Sequence, residues 1–465
     1  MKFGRTLALL GAFLILLAAI LFFDARARKR AVVKEKEGRL VDLASTDLMK
    51  MSLKTGGDVL TFERDAKGEW KITEPLLTGA DAAEVGGLAD GFSGLRIERV
   101  VATAPADLSA YGIPEKELSF WVKGKDMPVR ILVGMENPID KTLFAKRDDD
   151  PRVVLIASSL KATLDKKLFD FRRKDIFTFD KAGVSAVKVR TGSVSWEASK
   201  KDGDWSLMTP VAALAERSRV ETLLDSLAGL RAKEFVSEKM TDEDLRETGL
   251  DKPEYEVVLS MPAANKEATI AFHKDGDRIS AMSSLSDKIV LVESAILAEL
   301  DKKPEEYREK KVAVFDSWEV DRVAVNAGGF SLAAVKEKVG DSDIWFLESA
   351  GKVEADNAKV EMLIRKIEGL ETVEFIDAPK SLAEYGLGKP QAEVKVRTKD
   401  DEGKVRESTV LVGIEDKDKK QVVVKNAALD YLFRVDSSFL QDIPKDAKDW
   451  KAAPETKPGD VKKAP

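Results

Sequence analysis

Three stretches of this chain repeat one another in the same order and at nearly one period. GEWKITEP around Trp70 recurs as GDWSLMTP around Trp205, and a weaker copy, DIWFLESA, surrounds Trp345, at spacings of 135 and 140 residues. Gly94-Leu95, Gly229-Leu230 and Gly369-Leu370 keep the same spacings. Gly112, Gly249 and Gly386 lie 137 residues apart, and Pro114, Pro253 and Pro390 close the turns. Solenoid repeats run to roughly 20–50 residues because each unit needs a neighbour to bury its apolar face. A unit near 137 residues buries a core of its own. The spacing therefore predicts three tandem domains of one fold, over residues 38–177, 178–314 and 315–450.

Each copy has the same internal plan. Its start alternates apolar and polar residues (Met49, Met51, Leu53; Val187, Val189; Val323, Val325), which is strand period. Glycine turns lead on to a second strand and then to the tryptophan strand, a meander of three. A helix follows, with Val85, Leu88, Phe92 and Leu95 at i, i+3, i+7 and i+10. Val220, Leu223, Leu227 and Leu230 repeat that stripe, as do Val360, Leu363, Ile367 and Leu370. Asp81 and Asp356 stand where a carboxylate caps the helix start, and Glu216 is the poorer cap. Four more strands follow the Gly-Pro turn, and a short helix led by Ser158-Ser159 or Ser437-Ser438 closes the copy. Strands and helices segregate in runs, so the fold class is α+β with mainly antiparallel sheets.

The ends read differently. Leu7 to Phe23 is seventeen residues without a charge, near the lower limit of a membrane helix. Ala25-Arg26-Ala27 loosely fits a signal-peptide cleavage site, but the apolar run is long for one and charges crowd that site, so an uncleaved anchor is the favoured reading. Residues 1–37 are read as this transmembrane helix and a charged stalk, and 451–465 as a disordered tail. Positive residues on both sides of the helix, counted alone, put the bulk of the chain in the cytoplasm, although long domains can cross despite such charge.

Composition narrows the chemistry. With no cysteine there are no disulfides, thiolate metal sites or thiol nucleophiles, and with one histidine, His273, no two-histidine site. A net charge of −6 argues against nucleic-acid binding through a basic face. His273 reads as an ordinary sheet or turn residue. Asp148-Asp149-Asp150 and Asp341-Ser342-Asp343 lack the glycine and closing glutamate of a calcium loop and read as solvated hairpin turns. Gly86, Gly87 and Gly91 lack the Lys-Ser or Lys-Thr pair of a phosphate loop and read as a weakened helix or a close backbone approach. Trp70, Trp205 and Trp345 read as core or domain-interface anchors, and Tyr111 and Tyr385 as packed corners. No residue is assigned a catalytic, cofactor-binding or metal-binding role, and no cofactor is expected.

The order GEWKITEPL, ADAAEVGGLADGFSGLRIERVV, DLSAYGIP, VRILVGMENP, PRVVLIASSL resembles the bacterial repeat family known as domain-of-unknown-function family 4340, over about residues 38–445. GDWSLMTPVAA, SLAEYGLGKPQAEVKV and STVLVGIEDKD carry the signature into the later copies. Copy two departs by losing the tyrosine and the LVG motif, and copy three by losing the proline after its tryptophan strand. The resemblance implies a membrane-anchored envelope protein that accompanies components similar to gliding-motility-type ABC exporters, and it tilts the orientation toward the extracytoplasmic side. The expectation is a non-enzymatic interaction or scaffold protein of the inner membrane, single-pass, with three periplasmic domains. The alternatives are a ligand-binding module for lipid, glycan or peptide, and a hydrolase with a site assembled between domains.

Overall fold

The structure is a computed structural model that describes residues 38–452, apart from 265, 350 and 447. The expected membrane anchor and residues 453–465 of the expected tail lie outside the described residues. Among the described residues, no helix is long and apolar enough to cross a membrane.

Alternating apolar positions build three nine-stranded sheets, one per copy. The first holds β1 (Leu48–Thr55), β2 (Asp58–Arg64), β3 (Trp70–Glu74), β4 (Thr78–Gly79), β5 (Arg99–Ala102), β6 (Lys116–Val122), β7 (Val129–Glu136), β8 (Leu143–Arg147) and β9 (Val153–Ile156). The second holds β10 (Ala186–Thr191), β11 (Val194–Lys201), β12 (Asp204–Thr209), β13 (Ala213–Leu214), β14 (Glu234–Ser237), β15 (Tyr255–Met261), β16 (Lys266–Asp275), β17 (Arg278–Ser283) and β18 (Ser286–Val292). The third holds β19 (Val320–Ala327), β20 (Phe330–Val339), β21 (Ser342–Ser349), β22 (Gly351–Glu354), β23 (Thr372–Ile376), β24 (Ala392–Lys399), β25 (Val405–Asp416), β26 (Gln421–Asn426) and β27 (Leu432–Asp436).

The order in the first sheet is β4-β3-β2-β1-β6-β7-β8-β9-β5, and the other two repeat it strand for strand. Every pairing between neighbours is antiparallel, as between β1 and β6, where Met51 faces Phe120. The two strand sets expected from sequence are thus one continuous sheet. Two further strands per copy go beyond the sequence expectation: one beside each tryptophan strand, two residues long in the first two copies and four in the third, and a short edge strand after each helix.

One helix per copy, α1 (Ala82–Ser93), α2 (Arg217–Ala228) and α3 (Asn357–Glu368), links the meander to the far edge of the sheet. All twelve stripe residues are buried, Val85, Leu88 and Phe92 in one core with Met51, Phe62 and Phe120. Asp81 accepts from the Ala83 and Glu84 amides and Asp356 from Lys359, whereas Glu216 makes no such bond and instead accepts from the Ser218 hydroxyl. The closing helix of copy three, Ser437–Gln441, is capped by Asp436 and not by a serine, and Ser159 makes no cap bond in copy one.

The chain packs as two compact units, the first ending at Asp175 and the second beginning at Ile176. The second unit contains both the second and the third sheets. Core membership shifts the expected borders slightly. Ile176 and Phe177 pack in the second core, and Val312 and Ala313 in the third. Lys451, assigned to the tail from sequence, forms a bridge with Ala355, and Trp450 is buried in the third core.

Candidate functional site

Each copy ends on an aromatic residue followed by a basic one: Phe171-Arg172, Tyr307-Arg308 and Trp450-Lys451. The three aromatics are buried, and their carbonyls accept from the backbone amides of Asp81, Glu216 and Asp356 at 2.7–2.8 Å. The basic residues bridge to Ala80, Ala215 and Ala355. The end of each copy thus locks the start of its own helix. The sequence signal for this contact is the recurring aromatic–basic dipeptide itself.

In the second unit this segment also binds the next sheet. Residues 307–313 form a strap. Its Glu309 amide donates to the Leu214 carbonyl, and its Val312 amide donates to the Leu370 carbonyl, each at 2.9 Å. The Arg308 guanidinium is buried and donates to both carboxylate oxygens of Asp377, at 3.0 and 2.7 Å. It also lies over the rings of Phe375, 3.7 Å from the centroid, and Tyr431, at 4.9 Å. Planar stacking and a forked ion pair together are what arginine supplies and lysine does not. Tyr431 Oη accepts from the Leu214 amide at 3.3 Å, and the Asn426 side-chain amide donates to the Val312 carbonyl at 2.9 Å. Burial pushes the Tyr431 phenol up. Ala213 of β13 lies in the third core.

Beside this joint lies a cleft of about 610 Å³ between the second and third repeats, the size of a ligand site. Trp205, the strap residues Glu309 and Lys311, and Thr398, Arg406 and Glu407 of β24 and β25 are on its walls. At its mouth Asp204 meets Arg217 at 3.2 Å and, from the other repeat, Arg406 at 3.8 Å. These groups are exposed, so the pairs hold the mouth weakly. Deeper in, the Glu309 carboxylate accepts from the Lys311 amide at 2.8 Å. Burial raises its pKa, and the charges of Glu216 and Glu371 add to that, against the pull of the Lys311 amide and charge. Trp205 is buried, and among the described residues its Nε1–H has no acceptor.

The residues singled out from sequence are not gathered here, Trp205 apart. Trp70, Trp205 and Trp345 all sit in the cores. Each indole faces a cation at its register partner: Arg64 at 4.7 Å, Lys200 at 5.9 Å and Lys336 at 5.7 Å. Tyr111 packs on Phe144 with centroids 5.2 Å apart, and Tyr385 packs with Leu387, Val423 and Leu432. His273 is on β16, half-buried, and its ring touches Gly249.

Asp148 and Asp149 are exposed, but Asp150 is buried, which corrects the reading of a wholly solvated turn. Its carboxylate accepts from Arg152 Nη2 at 2.7 Å, and that guanidinium lowers its pKa to about 2. Asp341, Ser342 and Asp343 are exposed at the turn between β20 and β21. Gly86 and Gly87 have open space where a Cβ would point, whereas Gly91 is close to Leu160. Among the described residues, no group of three or more His, Asp or Glu side chains is placed to hold a metal ion.

Among solved structures, the chain has a likeness to the DNA polymerase III subunit beta from Pseudomonas aeruginosa, at 9% identity and a TM-score of 0.15, covering 85% of this chain and 94% of that one. A DNA polymerase sliding clamp from Pseudomonas aeruginosa with ligand gives 8% identity and a TM-score of 0.16, covering 86% and 94%. Scores this low carry no argument about fold or function. No curated protein matches the chain. The family model described as "Domain of unknown function (DUF4340)" matches three times, over residues 70–210, 205–344 and 345–455. These matches begin at the three tryptophans; the first two run to the tryptophan strand of the next copy and the third runs past the last strand of the third sheet, out of phase with the sheets but at the same period. The chain belongs to the DUF4340 family and carries three tandem copies of its domain.

Proposed function

We propose that this protein is a membrane-anchored, non-enzymatic scaffold of the bacterial envelope, holding a partner complex by docking and not by reaction. The observation that carries the reading is the strap at residues 307–313. It is hydrogen-bonded to both the second and the third sheets and is pinned by the Arg308–Asp377 pair. Such a joint fixes two repeats as one preorganised surface, which lowers the ordering cost of binding. The apolar run from Leu7 to Phe23 supports an anchor, and an anchor raises the effective concentration of the domains beside a membrane complex. The family resemblance supports an ABC-type exporter as that complex and the periplasm as the compartment.

The test is crosslinking in intact cells, followed by capture of the full chain from gently solubilised membranes. Stoichiometric recovery of a membrane complex is the expected result. Recovery of the chain alone, with neighbouring exporters intact, overturns the reading. Alkaline phosphatase and a fluorescent reporter fused after Trp450 check the side of the membrane: phosphatase activity is expected, and fluorescence alone reverses the assignment.

A second reading, a module for an apolar ligand, is favoured by a cavity of about 680 Å³ in the first repeat. Leu53, Leu60, Pro75 and Leu168 line it, with Lys166 and Lys167 at its side. Native mass spectrometry of the full chain would then show a co-purifying lipid, and a bare mass would remove this reading.

A further inference from the structure

We propose that the cleft between the second and third repeats is the docking site for an extended protein segment that inserts one basic side chain toward Glu309. This rests on the scaffold reading and names where, and by what chemistry, the partner is held.

The cleft holds a carboxylate that, among the described residues, no side-chain cation bonds. Glu309 sits on the strap, so its position is fixed by both sheets. Its carboxylate accepts from a backbone amide, and among the described residues no side-chain cation bonds to it. A half-buried carboxylate of this kind is stabilised by a cation that arrives with its own hydrogen-bond donors. Of the four basic groups around the cleft, Arg217 and Arg406 are both engaged by Asp204 at the mouth, and Lys311 and Lys404 are the others. Against them stand six carboxylates, since Asp316, Glu319, Asp400 and Glu407 join Asp204 and Glu309 on the walls. The balance inside the cleft therefore favours a guanidinium or ammonium over a carboxylate.

Leu214, Ala215, Val314 and Phe315 add apolar surface to the walls. A cation flanked by apolar and peptide groups is what a protein segment with Arg or Lys offers and a free polyamine does not. The Asp204–Arg406 pair spans the two repeats at the cleft, and both side chains are more than half exposed.

The test uses the full chain in detergent solution and ligand-observed NMR. The probes are acetylated and amidated pentapeptides, Ala-Ala-Arg-Ala-Ala and Ala-Ala-Glu-Ala-Ala, with spermidine as a third arm. The arginine peptide is expected to bind at least tenfold more tightly than the glutamate peptide, and more tightly than spermidine. Glu309→Gln is expected to weaken the arginine peptide at least fivefold with an unchanged melting temperature. Arg406→Ser, which opens the mouth and removes a competing cation, is expected to strengthen it about twofold or more. Equal binding of the two peptides, preference for spermidine, no binding, or an unchanged affinity in Glu309→Gln each overturns the proposal. If a partner is captured in cells while the peptides show no preference, the scaffold reading stands and the cleft assignment falls. If the arginine peptide binds as stated and no partner is captured, the reverse holds.

Discussion

At Gly134 and Gly413 the chain has no room for a side chain. A Cβ there would meet the carbonyl oxygen of Tyr111 or Tyr385 at 2.2 Å. In both copies the strand bulges at that point, with two residues on β7 or β25 opposite one on its neighbour. Copy two places His273 at the same register, pairs it regularly with Ser280, and has Thr248 in place of the tyrosine. The lost tyrosine, the lost LVG motif and the lone histidine are thus one exchange: a bulge traded for a straight strand with an imidazole filling the corner. Gly249 pays for the ring, since a Cβ there would lie 2.3 Å from His273 and its φ is +70°. Gly249→Ala is expected to destabilise the second unit by about 1–3 kcal/mol, read by urea denaturation. Asp150 gives a pH signature. Its pKa falls from 3.8 to about 2 on folding, so the pair with Arg152 adds stability that is full above the unfolded value and is lost as pH falls through about 2. Asp150→Asn is expected to remove about 1–2 kcal/mol at neutral pH and to flatten the acid limb of the stability curve. The histidine's place in a sheet was legible in sequence. Its coupling to Gly249 was not, because the two meet across a turn and a strand whose register only pairing fixes.

The helices were the most legible elements, since an apolar stripe with a carboxylate cap states both a buried face and a start. Their weak point is α1. Gly86 and Gly87 lie in its interior with free space around them, so nothing offsets the entropic cost of glycine there. Gly87→Ala is expected to stabilise the first unit by about 1 kcal/mol, seen as a rise in its melting temperature. The strands of the two meanders were also legible from alternation. The edge strands β5, β14 and β23 were not, being four or five residues long with largely exposed patterns. The joining of β1 to β6 was hidden for a different reason: helix, edge strand and turn separate the two in sequence, and local periodicity carries no information about such a pairing.

For the whole molecule, three copies of one fold could be read from spacing alone, but the division into two compact units could not. What can be traced is the union of the second and third sheets in one unit, through the joint at Arg308, whose partners Asp377, Phe375 and Tyr431 lie 67 to 123 positions further along. The parts of that joint are not equal in every copy. Val100 occupies the register of Phe235 and Phe375, and Lys451 that of Arg172 and Arg308. The first copy thus lacks the aromatic shelf and the third lacks the guanidinium, as terminal units of an array commonly differ from internal ones. Arg308→Met keeps the length of the side chain but removes the fork. It is expected to cost about 2–3 kcal/mol, because the partly exposed Asp377 recovers some hydration. In calorimetry it is expected to split the second unit's transition into two. The strap has one more consequence, a mechanical one. Its seven residues are stitched at one end to β13 and at the other to the segment after α3. Tension that reaches the strap therefore acts on bonds to both sheets at once. A single-molecule pulling trace should accordingly show these two sheets rupturing in one step, with the contour length of both released together.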